Sequence, residues 1–265
     1  MSLAAFIMIY PVLWMISSSF KDNTAIFSDA LSLIPTEWNF NAYETGWAGF
    51  GGITFATFFR NSFIIAGLST VGAVMSSAVV AFGFARIRFR GQKLWFAMMI
   101  ATLMLPFQVI MVPQYVLFNH LGWINTFLPI IVPQFLGFPF FIFLVMQFIR
   151  GIPKELDESA VIDGASRYTI FLRVILPNIQ PALVTVAIFS FYWRWNEFLG
   201  PLIYLSRPKL YPISVALQAF ADPDSLVNWS AVFAMGVLSI LPVLAIFLLF
   251  QRYIVEGIST SGLKG

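Results

Sequence analysis

Residues 153–177, PKELDESAVIDGASRYTIFLRVILP, gather Lys154, Glu155, Asp157, Glu158, Asp163, Arg167 and Arg173 in a chain of which only 10% is charged. Pro153 suits the first turn of a helix, and the acidic Glu155, Asp157 and Glu158 follow where the positive end of a helix dipole favours them. Leu156, Ala160 and Val161 then share one face, and Gly164 can take the left-handed conformation that ends the helix. Ser166 can cap a second helix, with Arg173 near its end and Pro177 stopping it. The segment predicts a short helix, a sharp turn and another helix, lying at a surface.

Outward from this island the chain is apolar. Of its 265 residues 59% are hydrophobic and 10% charged, with a mean hydropathy of +0.85. A soluble domain carries roughly 25% charged residues, so the solvent implied here is a bilayer. A spanning helix needs about 20 mostly apolar residues. Residues 1–20, 61–85, 94–119, 121–149 and 225–251 contain no Asp, Glu, Lys, Arg or His, and 181–205 contains only Arg194 and Glu197. The expectation is one all-α transmembrane domain over 1–265, with spans near 3–20, 62–85, 94–117, 124–148, 181–205 and 229–251 and a loop at 150–180.

Basic residues fix the orientation. Arg86, Arg88, Arg90, Lys93, Arg150, Lys154, Arg167, Arg173, Arg252 and Lys264 fall on one face, against Lys21, Arg60, Arg207 and Lys209 on the other. The positive-inside rule makes the richer face cytoplasmic, with both termini and the 150–180 loop on it. The first span has no basic residue before it. A signal peptide with small Ser17, Ser18 and Ser19 is one reading, and a longer natural start adding Lys or Arg before Leu3 is the preferred one.

In the second span Ser69, Ala73, Ser77, Ala81 and Ala85 recur every four residues, a small-residue ridge that lets another helix approach closely. Pro106, Pro113, Pro129, Pro133 and Pro139 stand beside the amides Gln108, Gln114 and Gln134. They mark either a polar pathway, with Gln108 and Gln114 as candidate lining, or simple kinks at span ends. Arg194 and Glu197, three apart, can neutralise each other on one helix face, as a structural lock or a functional pair. Around them Phe191, Tyr192, Trp193, Trp195 and Phe198 offer rings, and Asn196 an amide, to a solute in a translocation path.

Composition removes other chemistries. No cysteine means no disulfide scaffold, thiolate metal site or cysteine nucleophile, and the single histidine, His120, rules out a His-rich metal site, so the metal-ligand set is expected to be empty. No Gly-Lys dipeptide occurs, so a phosphate-cradling P-loop is absent. The spans hold no acidic array of the kind that couples secondary carriers to protons or ions.

The loop resembles the membrane subunits of ATP-binding-cassette importers. Their pattern is Glu-Ala-Ala, three residues, Gly, nine residues, then Ile-x-Leu-Pro. It stands here as Glu158-Ser159-Ala160, Gly164 and Val174-Ile175-Leu176-Pro177, with Ser159 and Val174 as size-conserving departures. Further residues are similar to the carbohydrate branch, the second permease of maltose-type importers: Trp195-Asn196-Glu197-Phe198 in the fifth span, and the tail from Gln251 through Gly262-Leu263-Lys264-Gly265. The resemblance covers nearly the whole chain.

It implies the type I importer fold of six transmembrane helices. It further implies a second, similar permease subunit, two separate ATPase subunits that bind ATP and Mg, and an extracytoplasmic binding protein, in the inner membrane of a prokaryote. Glu158, Ser159, Ala160, Asp163, Gly164 and Pro177 would form the element coupled to the ATPase, and Gly262 to Gly265 a tail that reaches it. With Gly257, Gly262 and Gly265 the stretch from Gly257 to the end predicts no helix on its own, and it is either a frayed end or ordered only in the complex. Tyr192, Trp195, Asn196, Glu197, Gln108 and Gln114 are the candidates for a translocation path. Sugar is the expected cargo, with glycerophosphodiesters, amino acids or polyamines as alternatives and an ATP-independent carrier as the rival class.

Overall fold

The computed structural model describes the backbone of residues 2–221 and 227–262, and the side chains of 7–221 and 227–251. Among the described residues it is helical throughout, apart from one isolated bridge between Phe50 and Ile53. In chain order the helices are α1 (Ser2–Ser18), α2 (Asn23–Ser28), α3 (Asn41–Ala48), α4 (Phe55–Arg86), α5 (Gln92–Thr102), α6 (Phe107–His120), α7 (Leu128–Phe135) and α8 (Pro139–Gly151). There follow α9 (Glu155–Ile162), α10 (Arg167–Ile170), a π-turn at Phe171–Ile175, α11 (Leu176–Asn178), α12 (Gln180–Asn196), α13 (Leu199–Tyr204), α14 (Ile213–Phe220) and α15 (Trp229–Gly262). Three stretches are long and apolar enough to cross a bilayer: Phe55–Arg86, Leu128–Gly151, which α7 and α8 share, and Trp229–Gln251.

Two of the expected spans are broken. Residues 94–117 form α5 and α6, which meet at 102° because Pro106, in extended conformation, withholds the N–H that would continue the helix. The fifth span enters through α10 and α11, turns by 73° at Ile179, and breaks again at Glu197 and Phe198 before α13. Helix α1, with Pro11 inside it, is a shorter apolar helix.

The chain divides into two compact units, residues 1–64 with 195–246 and residues 65–194 with 247–265. In the first, the loop after α1 is held by polar contacts that satisfy backbone carbonyls. Lys21 is 3% exposed and its ammonium donates to the carbonyls of Asp29 and Ser32 at 2.8 and 2.6 Å. The Asn61 amide donates to the carbonyls of Lys209 and Tyr211, and Ser62 Oγ accepts from the Ile213 N–H. A buried amide or ammonium is tolerable only with such partners.

The second unit is built on the small-residue ridge. Ser69, Ala73, Ser77 and Ala81 are all fully buried. Against Ala73, Ala81 and Phe82 pack Phe141, Val145, Met146 and Ile149 of α8, Ile175 of the π-turn, Ile179, and Ala182 and Val186 of α12. Ser76 Oγ donates to the Gln134 carbonyl at 2.8 Å, tying α4 to α7. The opposite side of α4 carries Met75 and Val79, each 58% exposed, as a lipid-facing surface needs.

The ridge is therefore a packing constraint rather than a composition accident. Ala81→Leu should destabilise the protein by about 1–3 kcal/mol through overpacking. Val79→Leu, two residues away on the exposed side, should change stability by less than about 0.5 kcal/mol. Thermal unfolding in detergent distinguishes the two, and equal effects would place the contact surface elsewhere on α4.

Candidate functional site

Helix α9 begins after Lys154, with Glu155, Asp157 and Glu158 in its first turn. Pro153 precedes the helix rather than opening it, so Asp157 and Glu158 N–H groups both bond to the Lys154 carbonyl. At the other end the Gly164 N–H donates to the Val161 carbonyl and the Ala165 N–H to the Ala160 carbonyl, with Gly164 at φ +80. That paired pattern is the Schellman cap, which needs a left-handed residue where only glycine is unstrained. Ser166 is extended, and its Oγ accepts from the Thr169 N–H at 3.2 Å, starting α10.

Pro177 does not stop the second helix as its type suggested. Lacking an N–H, it leaves the Arg173 carbonyl without its usual donor. The chain answers by widening into the π-turn, where the Leu176 N–H reaches back five residues to the Phe171 carbonyl. Helical geometry then runs on to Asn178, and the bend comes at Ile179.

One interaction that sequence reasoning missed holds α9 in place. Arg86 ends the 32-residue α4, and its Nε lies 2.8 Å from Asp157 Oδ2, with the two side chains 5% and 18% exposed. Its Nη2 donates to the Ile152 carbonyl at 2.7 Å, just before the loop. The other carboxylate oxygen, Asp157 Oδ1, is buried with no hydrogen-bond donor, so Arg86 supplies the neutralisation. Ala160, one turn on from Asp157, packs on the core of the same unit. The inward face of α9 is thus Asp157 and Ala160, not the apolar trio expected from the sequence.

What turns outward is the rest of the motif. Glu158, Ser159, Asp163 and Gly164 are exposed. So are Leu156 at 44%, Val161 at 58%, Ile162 at 86% and Tyr168 at 72%. A carboxylate set among three exposed apolar side chains on a short, anchored helix, with Tyr168 exposed on the next one, is a surface shaped for a protein partner, since patches of this kind are rare on surfaces facing water alone.

The remaining candidates separate. Trp195 is 3% exposed, its indole N–H donates to the Ser239 carbonyl at 3.0 Å and its ring packs on Phe63 at 4.8 Å, so it serves as a brace. Tyr192 and Asn196 are exposed, Glu197 is half-buried, Gln108 is exposed and Gln114 half-buried. Arg194 stands in the last turn of α12, and Glu197 in the break that follows it. The Glu197 carbonyl accepts from Ser214 Oγ at 2.6 Å, and its carboxylate fits only because Gly200 lacks a side chain, an added Cβ there lying 2.5 Å from Oε1. Leu263, Lys264 and Gly265 lie outside the described residues. Residues 257–262, expected to form no helix on their own, continue α15 to Gly262, because a helix already nucleated over a long span extends at little cost.

Removing one member of the Arg86–Asp157 pair leaves a buried, uncompensated charge. Arg86→Gln and Asp157→Asn should each lower stability by about 3 kcal/mol, and the double variant by less than their sum. A thermal double-mutant cycle measures the coupling, and strict additivity would mean the pair does not hold the loop.

The family described as binding-protein-dependent transport system inner membrane component matches residues 70–260. A probable ABC transporter permease protein of Bacillus subtilis, YurM, is 35% identical over 97% of this chain and 84% of its own. An arabinooligosaccharides transport system permease protein of Halalkalibacterium halodurans, AraQ, is 31% identical over 98% of this chain and 93% of its own. Among solved structures, a bacterial ABC transporter involved in the import of the acidic polysaccharide alginate contains a chain of the same fold, with a TM-score of 0.84 at 22% identity over 95% of this chain and 92% of that one. With the loop geometry, the ridge-packed spans and a family match over most of its length, this chain is a membrane-embedded, multi-pass member of the binding-protein-dependent transport system inner membrane components, the permease subunits of ABC importers.

Proposed function

We propose that this chain is one of two membrane-spanning subunits of an ATP-driven importer for a sugar or oligosaccharide in the inner membrane of a prokaryote. The observation that carries the reading is the outward presentation of Glu158, beside Leu156, Val161 and Ile162, on a helix pinned from within by Arg86. A separate ATPase subunit docks there, with a basic group meeting Glu158. Its closure is passed through α9 and the Arg86 clamp to α4, and so to the spans that alternate access. Energy comes from that partner, which binds ATP and Mg, since this sequence contains no Gly-Lys dipeptide and hence no P-loop of its own.

The sugar assignment is supported by the arabinooligosaccharide relative and by the Trp195–Phe198 segment. Tyr192, Asn196 and Glu197 are proposed to meet the passing substrate, with Trp195 holding their backbone in place, and Gln108 and Gln114 to add polar groups on α6. A second permease subunit completes the path, and an extracytoplasmic binding protein delivers the cargo. The 262–265 tail is proposed to meet the ATPase pair.

The test is Glu158→Lys in the assembled transporter reconstituted in vesicles. ATP-dependent uptake should fall by at least about tenfold, as reversal of an interfacial charge against a basic partner costs several kcal/mol. ATP hydrolysis by the isolated ATPase stays as it was. Uptake at the wild-type rate, or uptake without any ATPase subunit, would contradict the reading.

A further inference from the structure

The cavity beside the 86–93 connection has an apolar lining, and that connection is rich in basic residues. It measures about 510 Å³ and is lined by Val80, Phe84, Trp95, Met98, Met99 and Ile142, among others, all within the second unit. The one hydroxyl in the lining, Thr102 Oγ1, is already spent on the Met99 carbonyl at 2.6 Å. The lining therefore offers a polar solute little beyond the Trp95 indole N–H. Nor is it covered by the chain itself: α5 has no buried residue, and Leu94, Trp95 and Met98 are 64%, 56% and 49% exposed.

Charge surrounds this apolar space on one side only. Phe89 lines the cavity, and its sequence neighbours Arg88 and Arg90, with Lys93 a few residues on, are exposed. The Arg150 guanidinium sits 5.8 Å above the Phe96 ring, which packs on the cavity residue Phe84 at 6.0 Å. No acidic residue occurs between Glu44 and Glu155, so no carboxylate from α4 to α8 offsets these cations. Trp95, with its indole exposed in the lining, is the side chain that settles at headgroup depth.

We propose that this cavity holds an acyl chain of an anionic glycerophospholipid of the cytoplasmic leaflet, whose phosphate is bound by Arg88, Arg90, Lys93 and Arg150. The inference rests on the charge-based orientation of the chain and is independent of the coupling reading of α9. In hydrocarbon the cavity itself gives no preference among lipids, because any tail fills it equally well. Selectivity comes from the rim, where each basic residue near the surface is worth roughly fivefold in binding a negative headgroup. Such a lipid wedges α5 against α4 and α8, which makes the position of this exposed helix depend on membrane composition.

The experiment uses the assembled transporter in nanodiscs doped with phosphatidylglycerol or phosphatidylcholine carrying a photoactivatable group in one acyl chain, with crosslinks mapped by mass spectrometry. The phosphatidylglycerol probe should label residues 80–102 about fivefold or more above the phosphatidylcholine probe. The Arg88→Gln, Arg90→Gln, Lys93→Gln triple variant should bring the two to parity while labelling elsewhere is unchanged. Met99→Trp, which fills the cavity, should reduce labelling by both probes. Equal labelling in the unaltered protein would mean ordinary annular lipid, and absence of label in the assembly but not in the isolated chain would mean that another subunit covers the cavity. Either result overturns the proposal.

Discussion

A guanidinium at the end of a 32-residue apolar helix must be neutralised or held in water, and at Arg86 the chain does the former by folding its own loop back onto it. The consequence is mechanical. Helix α9 is too short and too polar to bury itself, and without Asp157 it would have only Ala160 against the core. With the ion pair and the bond to the Ile152 carbonyl, α9 is fixed to α4 at both its entrance and its first turn. Everything exposed on α9 is then presented at a fixed angle, and Gly164 and Ser166 redirect the chain into the π-turn and the fifth span.

The broken helices answer a second constraint. At membrane depth a proline or a bend leaves carbonyls without donors, and these persist only where protein supplies substitutes. The Ser76 bond to the Gln134 carbonyl, the Asn61 bonds to the Lys209 and Tyr211 carbonyls, and the Trp195 bond to the Ser239 carbonyl all have this form. Polar side chains of these segments thus serve to finish backbone hydrogen bonding.

Much of this was legible in the sequence, for local reasons. Charge-free stretches mark the helices, because exclusion of charge from lipid acts residue by residue. The small-residue ridge is a periodicity of four, and its burial follows from helix geometry alone. The left-handed Gly164 and the Ser166 cap are properties of single residues in a short window. What stayed hidden was non-local or depended on partners. Arg86 and Asp157 are far apart in the chain, and each had a sufficient local explanation, one as a positive-inside charge and the other as a helix-dipole acid. The exposure of Leu156 and Val161 contradicts the ordinary inward reading of apolar residues, and nothing in the sequence distinguishes a face meant for the core from one meant for another chain. Trp195 read as a substrate platform because its bracing partner, Ser239, belongs to a distant helix.

The central claim is that α9 and α4 move as one body. The chain contains no cysteine, so spin labels can be placed at Ser159→Cys on the exposed side of α9 and Met75→Cys on the exposed side of α4 without background. Distances between them are measured by double electron–electron resonance in the reconstituted transporter with ATP and with ADP. A single narrow distance, unchanged by nucleotide and broadened by Arg86→Gln, is the predicted result. A distance that shifts with nucleotide while Arg86 and Asp157 are intact would show that the loop moves independently of the span, and would contradict the account.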